Sequence, residues 1–372
     1  MARGVPVVRF EAALPHVYAV AISTLTLAPN YEGLDPWIYV VRASLDDELR
    51  RDVDLLLGHL ISPLLLLSLQ QTSDVPDDFA AFIGWLTTLE DKQVKHCVED
   101  LLGGLACPSH SGSTSMDVPR PDDRPALDAY LRQTGCGWST LAVEAPQQFD
   151  QLLDLLQSPS DLKARLVFSL VRLWEEHFGQ RLEEHLPGIR HSAAFHRQQQ
   201  QEETLGVLFE RVTGRSFEDG FSEWVEDAEE VVFIPSCFGG PYVQLHALAA
   251  DRQRVALSYN YRVAGPTADV AGLRCMLPIL RALADETRLA ILANLDGQEL
   301  YAQQLVERLD ISQPAVSRHL ALMVAAGLLQ SRREGGMKFY SVCGEALGHI
   351  GEHLVKLGGI KSGTGTEVPA KE

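Results

Sequence analysis

The most constraining stretch lies between Tyr301 and Val342. Tyr301, Leu305 and Leu309 are spaced four apart, which puts them on one helical face. Asp310 and Ile311 follow as a short turn. Ser312 suits a helix N-cap, and Pro314 is tolerated in a first turn, where its missing N–H is not needed. Val316, Leu320, Met323 and Val324 then form the apolar stripe of a second helix. Pro314, Ala315, Ser317, Arg318 and Ala321 point away from that stripe. Gly327 ends the helix and Leu328 packs behind it. Two strand-like runs follow, Leu328–Arg333 and Met337–Val342, joined by Glu334-Gly335-Gly336 as a glycine hairpin turn.

This order is that of a winged helix-turn-helix. The second helix presents small and polar groups outward, so it can enter a major groove roughly 12 Å wide. The hairpin carries Arg332, Arg333 and Lys338 and forms a wing able to reach phosphate or a minor groove. Asp310 occupies a turn position where glycine is common. Asp accepts the left-handed conformation better than most residues, so the turn is expected to survive.

LADETRLAILANL, LDISQPAVSRHLALMVAAGLL and RREGGMKFYSV together resemble the ArsR-type winged-helix regulators of bacteria, over about residues 275–357. The resemblance implies a dimeric, sequence-specific DNA-binding transcriptional regulator, a repressor, acting on a double-stranded DNA operator. The helices near 268–284 and 343–357 would form the homodimer interface and set two recognition helices about 34 Å apart. Ser312 and Gln313 are expected to reach base edges, with Pro314 and Ala315 on the same outward face and Ser317 and His319 assisting. Arg318 would take a guanine or a phosphate. Arg332, Arg333 and Lys338 would hold the backbone, and Tyr340 would shape the wing.

The charge is unevenly spread. The 372 residues carry 32 Lys and Arg against 50 Asp and Glu, a net charge of −18. Residues 275–372 hold 10 and 11 of these, leaving 22 and 39 for residues 1–274. The acidity therefore belongs to the long N-terminal part, while 312–340 carries a basic edge. A local basic face can bind phosphate although the bulk repels it.

The fold class expected is mainly α with small antiparallel β elements: a helical N-terminal domain, residues 1–265, then the winged helix-turn-helix at 266–357 and a flexible tail at 358–372. Helical apolar spacing appears at 12–28, at 36–69 with a break near Ser62-Pro63, and at 78–105. Residues 107–125, rich in Pro, Ser, Gly and Asp, read as a loop. Helical patterns resume at 126–134, 146–156, 160–178 and 189–213, the last with Gln198–Gln201 as a solvated face. Three strand-like runs then suggest a small antiparallel sheet near 231–261. The connection Pro235–Pro241 reads as a ligand loop or as a plain hairpin connection. The VVFIPSCF…LSYNYR region and the order of domains resemble those of some regulators of the same family with an uncharacterised N-terminal domain, a resemblance that implies no activity. Separately, residues 1–265 are expected to sense an unidentified small-molecule effector or to dimerise.

The apolar run at Leu64–Leu67, interrupted by Ser62, Pro63 and Ser68, is short of the ~20 residues that span a bilayer. No signal peptide is expected, no membrane association, and the location expected is the cytoplasm. The six cysteines are scattered without CxxC spacing, as suits free thiols. Gln298–Ala302 lacks the cysteine pair of the thiolate metal sensors. Glu345, His349, Glu352 and His353 could share an ion or pack a dimer helix. His185, His191 and His196 form a loose group without a carboxylate partner at fixed spacing, and Cys275 and Cys343 could face each other as a redox pair. No cofactor and no metal site are expected, and no catalytic motif is present, so the chain is not expected to be an enzyme. Two alternatives stay open: an enzyme domain fused to a DNA-binding tail, and a winged helix used for protein interaction.

Overall fold

In a computed structural model, the chain divides into two compact units, Met1–Ala264 and Gly265–Glu372. The structure describes residues 6–70, 77–105, 117–133, 137–200, 203–215, 217, 221, 225, 228–246, 254–261, 279–334, 337–344, 347–348 and 351.

The first unit is helical around one buried sheet. It opens with β1 (Val7–Phe10) and α1 (Leu14–Leu27). Asp35 caps α2 (Pro36–Ser44) by accepting from Trp37 N at 3.1 Å, and Asp46 caps α3 (Asp47–Asp52) by accepting from Leu49 N at 2.9 Å. A π-helical turn (Val53–Leu57) leads into α4 (Gly58–Gln70). The expected break at Ser62-Pro63 does not occur. Pro63 lies inside α4, and the chain breaks instead at Leu45-Asp46, where a cap is available. Pro63 removes one helical hydrogen bond, which the buried Leu60, Ile61 and Leu65 around it offset. The helical stretch Asp47–Leu69 is thus longer than the short leucine run suggests. By length and composition it could cross a membrane, but 65% of its apolar window is buried inside the unit, as in a core helix.

α5 (Phe79–Thr88) and α6 (Asp91–Leu105) split the expected helix at 78–105. Then come α7 (Arg124–Gln133), α8 (Gly137–Glu144) and α9 (Pro146–Gln157). α10 (Pro159–Leu173) continues through a second π-turn (Trp174–Phe178) into α11 (Gly179–Gln198), and α12 (Leu205–Thr213) follows. The expected helix at 189–213 is therefore two helices. The glutamine run lies at the end of α11, not on a helix face, and Gln201 is outside the described residues. Of the loop expected at 107–125, residues 107–116 are likewise outside them, and α7 already begins at Arg124.

The sheet corrects a further expectation. β2 (Glu230–Ser236), β3 (Gln244–His246) and β4 (Arg254–Asn260) are the three strands foreseen, but the order is β1-β2-β4-β3. β2 pairs in parallel with both β1 and β4, and only β3 and β4 are antiparallel. The reason is burial on both faces, which parallel sheets require and which produces continuous apolar runs. On one face Phe10, Val231, Phe233, Val255, Leu257 and Tyr259 pack with Ala193 of α11 and Leu208, Phe209 and Val212 of α12. The alternate residues Val232, Ile234, Ala256 and Ser258 are buried too. From that side Gln244 Nε2 donates to Thr24 Oγ1 of α1 at 2.8 Å.

The Pro235–Pro241 segment is not a hairpin connection, since β3 lies beyond β4. It packs on the α1–α2 loop. Asp35 N donates to Phe238 O at 2.9 Å, Tyr242 OH to Glu32 O at 2.7 Å, and Asn260 Nδ2 to Gly240 O at 2.8 Å. Gly240 has φ +60°, and a Cβ there would overlap the carbonyl oxygen of Gly33. The two backbones therefore meet where only glycine fits. Nearby, Trp37 stacks on Phe238 at 5.0 Å.

The second unit holds α13 (Glu286–Asn294), β5 (Leu300–Tyr301), α14 (Ala302–Leu309), α15 (Gln313–Ala325), β6 (Leu329–Glu334) and β7 (Met337–Val342). Ile291, Leu295, Leu300, Leu305, Val316, Leu320, Met323, Leu328 and Leu329 are its core. Of the helix expected at 268–284, residues 279–283 are helical and those before 279 lie outside the described residues, as do the tail and most of the expected 343–357 helix.

Candidate nucleic-acid interface

Each helix end in the second unit is fixed by a local device readable in the sequence. Asp285 caps α13 by accepting from Arg288 N at 2.9 Å. Arg288 is buried and donates to the carbonyls of Ala282 (2.5 Å) and Arg281 (3.1 Å), so this arginine clamps the preceding helical turn and does not face solvent. Asp310 ends α14 with φ +53° in the left-handed region, as expected of the turn. Gly327, φ +76°, ends α15. Its N–H donates to Val324 O at 2.9 Å, and Leu328 N–H to Met323 O at 2.9 Å, the paired bonds of a Schellman ending.

The turn sets α15 so that its first half is open. Ser312, Gln313, Pro314, Ser317, Arg318 and Ala321 are exposed, and Ala315 and His319 are half-buried. Val316, Leu320 and Met323 face the core, joined by Leu322 and Ala325. Ser312 occupies the N-cap position with extended dihedrals, but its hydroxyl makes no capping bond. The cap expected from its residue type is thus not formed, and the hydroxyl stands on the outward face.

Tyr301 departs from expectation. It is not on the first helix but ends β5, and its N–H donates to Gln304 Oε1 at 3.1 Å. β5 pairs with β7, so the wing is a three-stranded sheet of order β5-β7-β6. In the hairpin Arg333 pairs with Lys338 and Ser331 with Tyr340; Gly335 and Gly336 lie outside the described residues.

The basic groups of the wing are not equivalent. Arg332 is held by Glu299, with Nε donating at 2.8 Å and NH2 at 2.5 Å, and it also pairs with Glu334. It lies over the Phe339 ring at 5.0 Å. The bonds to Glu299 and then Glu334 raise its pKa further, and the bond from Arg332 lowers that of Glu299. Two carboxylates thus answer one guanidinium, and this part of the wing is not a positive patch. The sequence gives no local signal for Glu299, which lies 33 residues from its partner. Lys338, exposed, has Nζ 5.4 Å from the Tyr340 ring centre, and Tyr340 is half-buried. Met337, which opens β7, is 49% exposed.

Glu345, His349, Glu352 and His353 lie outside the described residues, as do Cys136 and Cys275. In the first unit, His185 and His196 lie on the sheet side of α11 while His191 is exposed, so the three do not converge. Cys97 and Cys237 are buried, and burial pushes the Cys97 thiol up to about 12.

The comparisons with known proteins all fall on the second unit. A family model described as "Bacterial regulatory protein, arsR family" matches residues 285–331. An arsenical resistance operon repressor of Staphylococcus xylosus is 37% identical over 76 residues, 20% of this chain and 73% of that protein. The transcriptional activator HlyU of Vibrio cholerae is 42% identical over 64 residues, 17% of this chain and 59% of the relative. The chain spans little more than half the length of several curated relatives it matches, 53% for one and 59% for another. Among solved structures, HlyU from Vibrio cholerae has 35% identity and a TM-score of 0.20, covering 25% of this chain and 97% of that one.

Proposed function

Because the chain belongs, through its C-terminal unit, to the ArsR family of bacterial regulatory proteins, we propose that it is a sequence-specific, DNA-binding transcriptional regulator. It acts in the cytoplasm as a dimeric repressor, and its N-terminal unit receives the signal. The observation that carries this reading is the open first half of α15, where Ser312, Gln313, Ser317 and Arg318 are exposed over a packed apolar stripe. Ser312 and Gln313 reach base edges. Pro314 and Ala315 keep that face low, and Ser317 and His319 assist. Arg318 takes a guanine or a phosphate, while Arg333 and Lys338 hold the backbone beside Tyr340. Arg332, answered by Glu299 and Glu334, sets the shape of the wing instead of gripping phosphate. Leu280 and Leu289, 36% and 51% exposed, support a dimer face. Relatives of this family named as repressors and as an activator both match, and repression is the direction proposed here.

Selection of bound duplexes from a random pool by the full chain should return a near-palindromic site. On that site Arg318→Ala weakens binding by more than ~1 kcal/mol in a fluorescence-anisotropy titration. Unchanged affinity would remove Arg318 from the interface. A pool that yields no enriched sequence would sink the regulator reading.

The wing gives a second expectation. Glu299→Gln frees Arg332 from its main partner. If the guanidinium then swings to a phosphate, the plot of log K against log salt steepens by about 0.9. An unaltered slope would mean that Arg332 lies away from the duplex even when released.

A further inference from the structure

The seam between α1, α4 and the sheet of the first unit holds two buried imidazoles. His16 of α1 is 1% exposed and His246 of β3 is 2% exposed. Both lie against α4. His246 Nδ1 is 3.3 Å from Ser62 Oγ, and the Ser68 carbonyl lies beside His16. Among the described residues, neither ring nitrogen of His16 has a hydrogen-bond partner of good geometry, and Nε2 of His246 has none.

The seam offers a protonated ring no counter-ion. α1 (LPHVYAVAISTLTL) and α4 (GHLISPLLLLSLQ) contain no Asp, Glu, Lys or Arg. α6, which packs on α4, turns Val94, Cys97, Val98 and Leu101 inward. The charged groups at the margin are already paired. Glu230 of β2 holds Arg9 of β1 at 2.6 Å and also Arg254 of β4, and Glu11 lies 3.7 Å from Arg9. Asp77 accepts from Leu14 N and from Arg190 of α11, each at 2.7 Å. Asp54, in the π-turn before α4, is held by Arg42. α4 also has a weak point between its two serines. Pro63 has no N–H to give the His59 carbonyl one turn back.

Burial lowers both histidines to about 4; at His16 the Ser68 carbonyl and Asp77 act against it and Arg9 acts with it. Burial lowers His59, whose ring lies 4.3 Å from that of Trp138, to about 4 as well. All three rings are neutral in the folded unit at pH 7. In the unfolded chain a histidine takes its proton near pH 6.5. What the neutral rings contribute is therefore whole above about pH 6.5 and is lost as the pH falls towards 4. Paired carboxylates act lower. The bond from Arg172 holds Asp46 down to about 2, so its contribution goes only below about pH 4.

We propose that the first unit carries an acid-driven switch, in which His16 and His246 take up protons as α4 leaves the seam. A charged ring kept there without a partner is costlier than one in water, so protonation and opening occur together. The switch belongs to this unit alone and stands whether or not the chain binds DNA.

The test is hydrogen–deuterium exchange of the full chain, read by mass spectrometry at pH 7.5 and 5.5 and corrected for the intrinsic exchange rate. Each ring that is neutral when closed and protonated when open makes opening about tenfold easier at the lower pH. Protection of the 58–70 peptide should thus fall at least about a hundredfold, while peptides of α9, which contains no histidine, keep theirs. His16→Leu and His246→Asn, the second retaining a partner for Ser62, should each make the fall about tenfold smaller. If a variant does not fold, the wild-type profile decides alone. A wild-type fall short of about thirtyfold would mean that the rings stay neutral or find partners. An equal loss in α9 would mean that the whole unit unfolds, and a fall of wild-type size in the double variant would assign it to other groups. Any of the three overturns the proposal.

Discussion

Gly240→Ala should cost the first unit roughly 4 kcal/mol or more, an uncommonly large effect for one methyl group. Two costs add. Alanine in the left-handed region loses about 1–2 kcal/mol. The new Cβ would also overlap Gly33 O, a backbone atom that cannot move aside as a side chain would. Relief requires the 235–241 segment to part from the α1–α2 loop. That breaks the bonds Asp35 N to Phe238 O and Tyr242 OH to Glu32 O, and it disturbs the stack of Trp37 on Phe238. Measurement is direct, because all five tryptophans lie in the first 264 residues. Urea unfolding followed by tryptophan fluorescence therefore reports this unit alone. A loss under ~1.5 kcal/mol, no more than the dihedral cost, would show that the two backbones can separate easily.

Asp52→Ala should cost about 3 kcal/mol, the low end of the range for breaking one side of a buried ion pair. Asp52 is buried at the end of α3. It accepts from Ser169 Oγ at 2.6 Å and from Arg165, whose Nε lies 2.8 Å away. Removing the carboxylate leaves the Ser169 hydroxyl and part of a guanidinium without an acceptor. The cost stays below the maximum because Arg165 keeps Glu48 at 3.0 Å near the surface. Asp52→Asn, which can still accept from Ser169, should lose less. Equal losses for both variants would show that charge, not the hydroxyl bond, is what matters; a loss under 1 kcal/mol in both would mean that α3 and α10 are held together by their apolar contacts.

What could be read from the sequence follows the distance between partners. The C-terminal unit is built from short-range signals. Asp285 caps its own helix, Asp310 takes the left-handed turn, and Gly327 with Leu328 closes α15 through bonds to Val324 and Met323. The outward set on α15 follows from a 3.6-residue period alone. Arg332 is harder to read, because Glu299 lies just before a strand only two residues long, which leaves no period to follow. The N-terminal unit failed in a similar way. VVFI reads as a strand of an antiparallel sheet, but its unbroken apolar run marks a strand covered on both faces. Its partner β1 is four residues long, too short to alternate. Pro63 acts in the opposite sense: local chemistry favours a break, and tertiary packing overrides it.

The pairing of β1 with β2 has a consequence for how the chain is made. Val7 pairs with Glu230, and β2 is covered on its other side only by β4, up to Asn260. β1 leaves the ribosome ahead of its partners and must wait for about 250 further residues, on the order of 10–50 s of synthesis. Pairing at such separation is also intrinsically slow. The C-terminal unit closes over far shorter loops and emerges after the first unit. The unit translated earlier is therefore completed late, and Val7–Phe10 is the segment most exposed to chaperones or to wrong pairing in the interval. Shortening or tagging the chain just before Val7 should show first in the yield of folded protein, ahead of any change in what the finished protein binds.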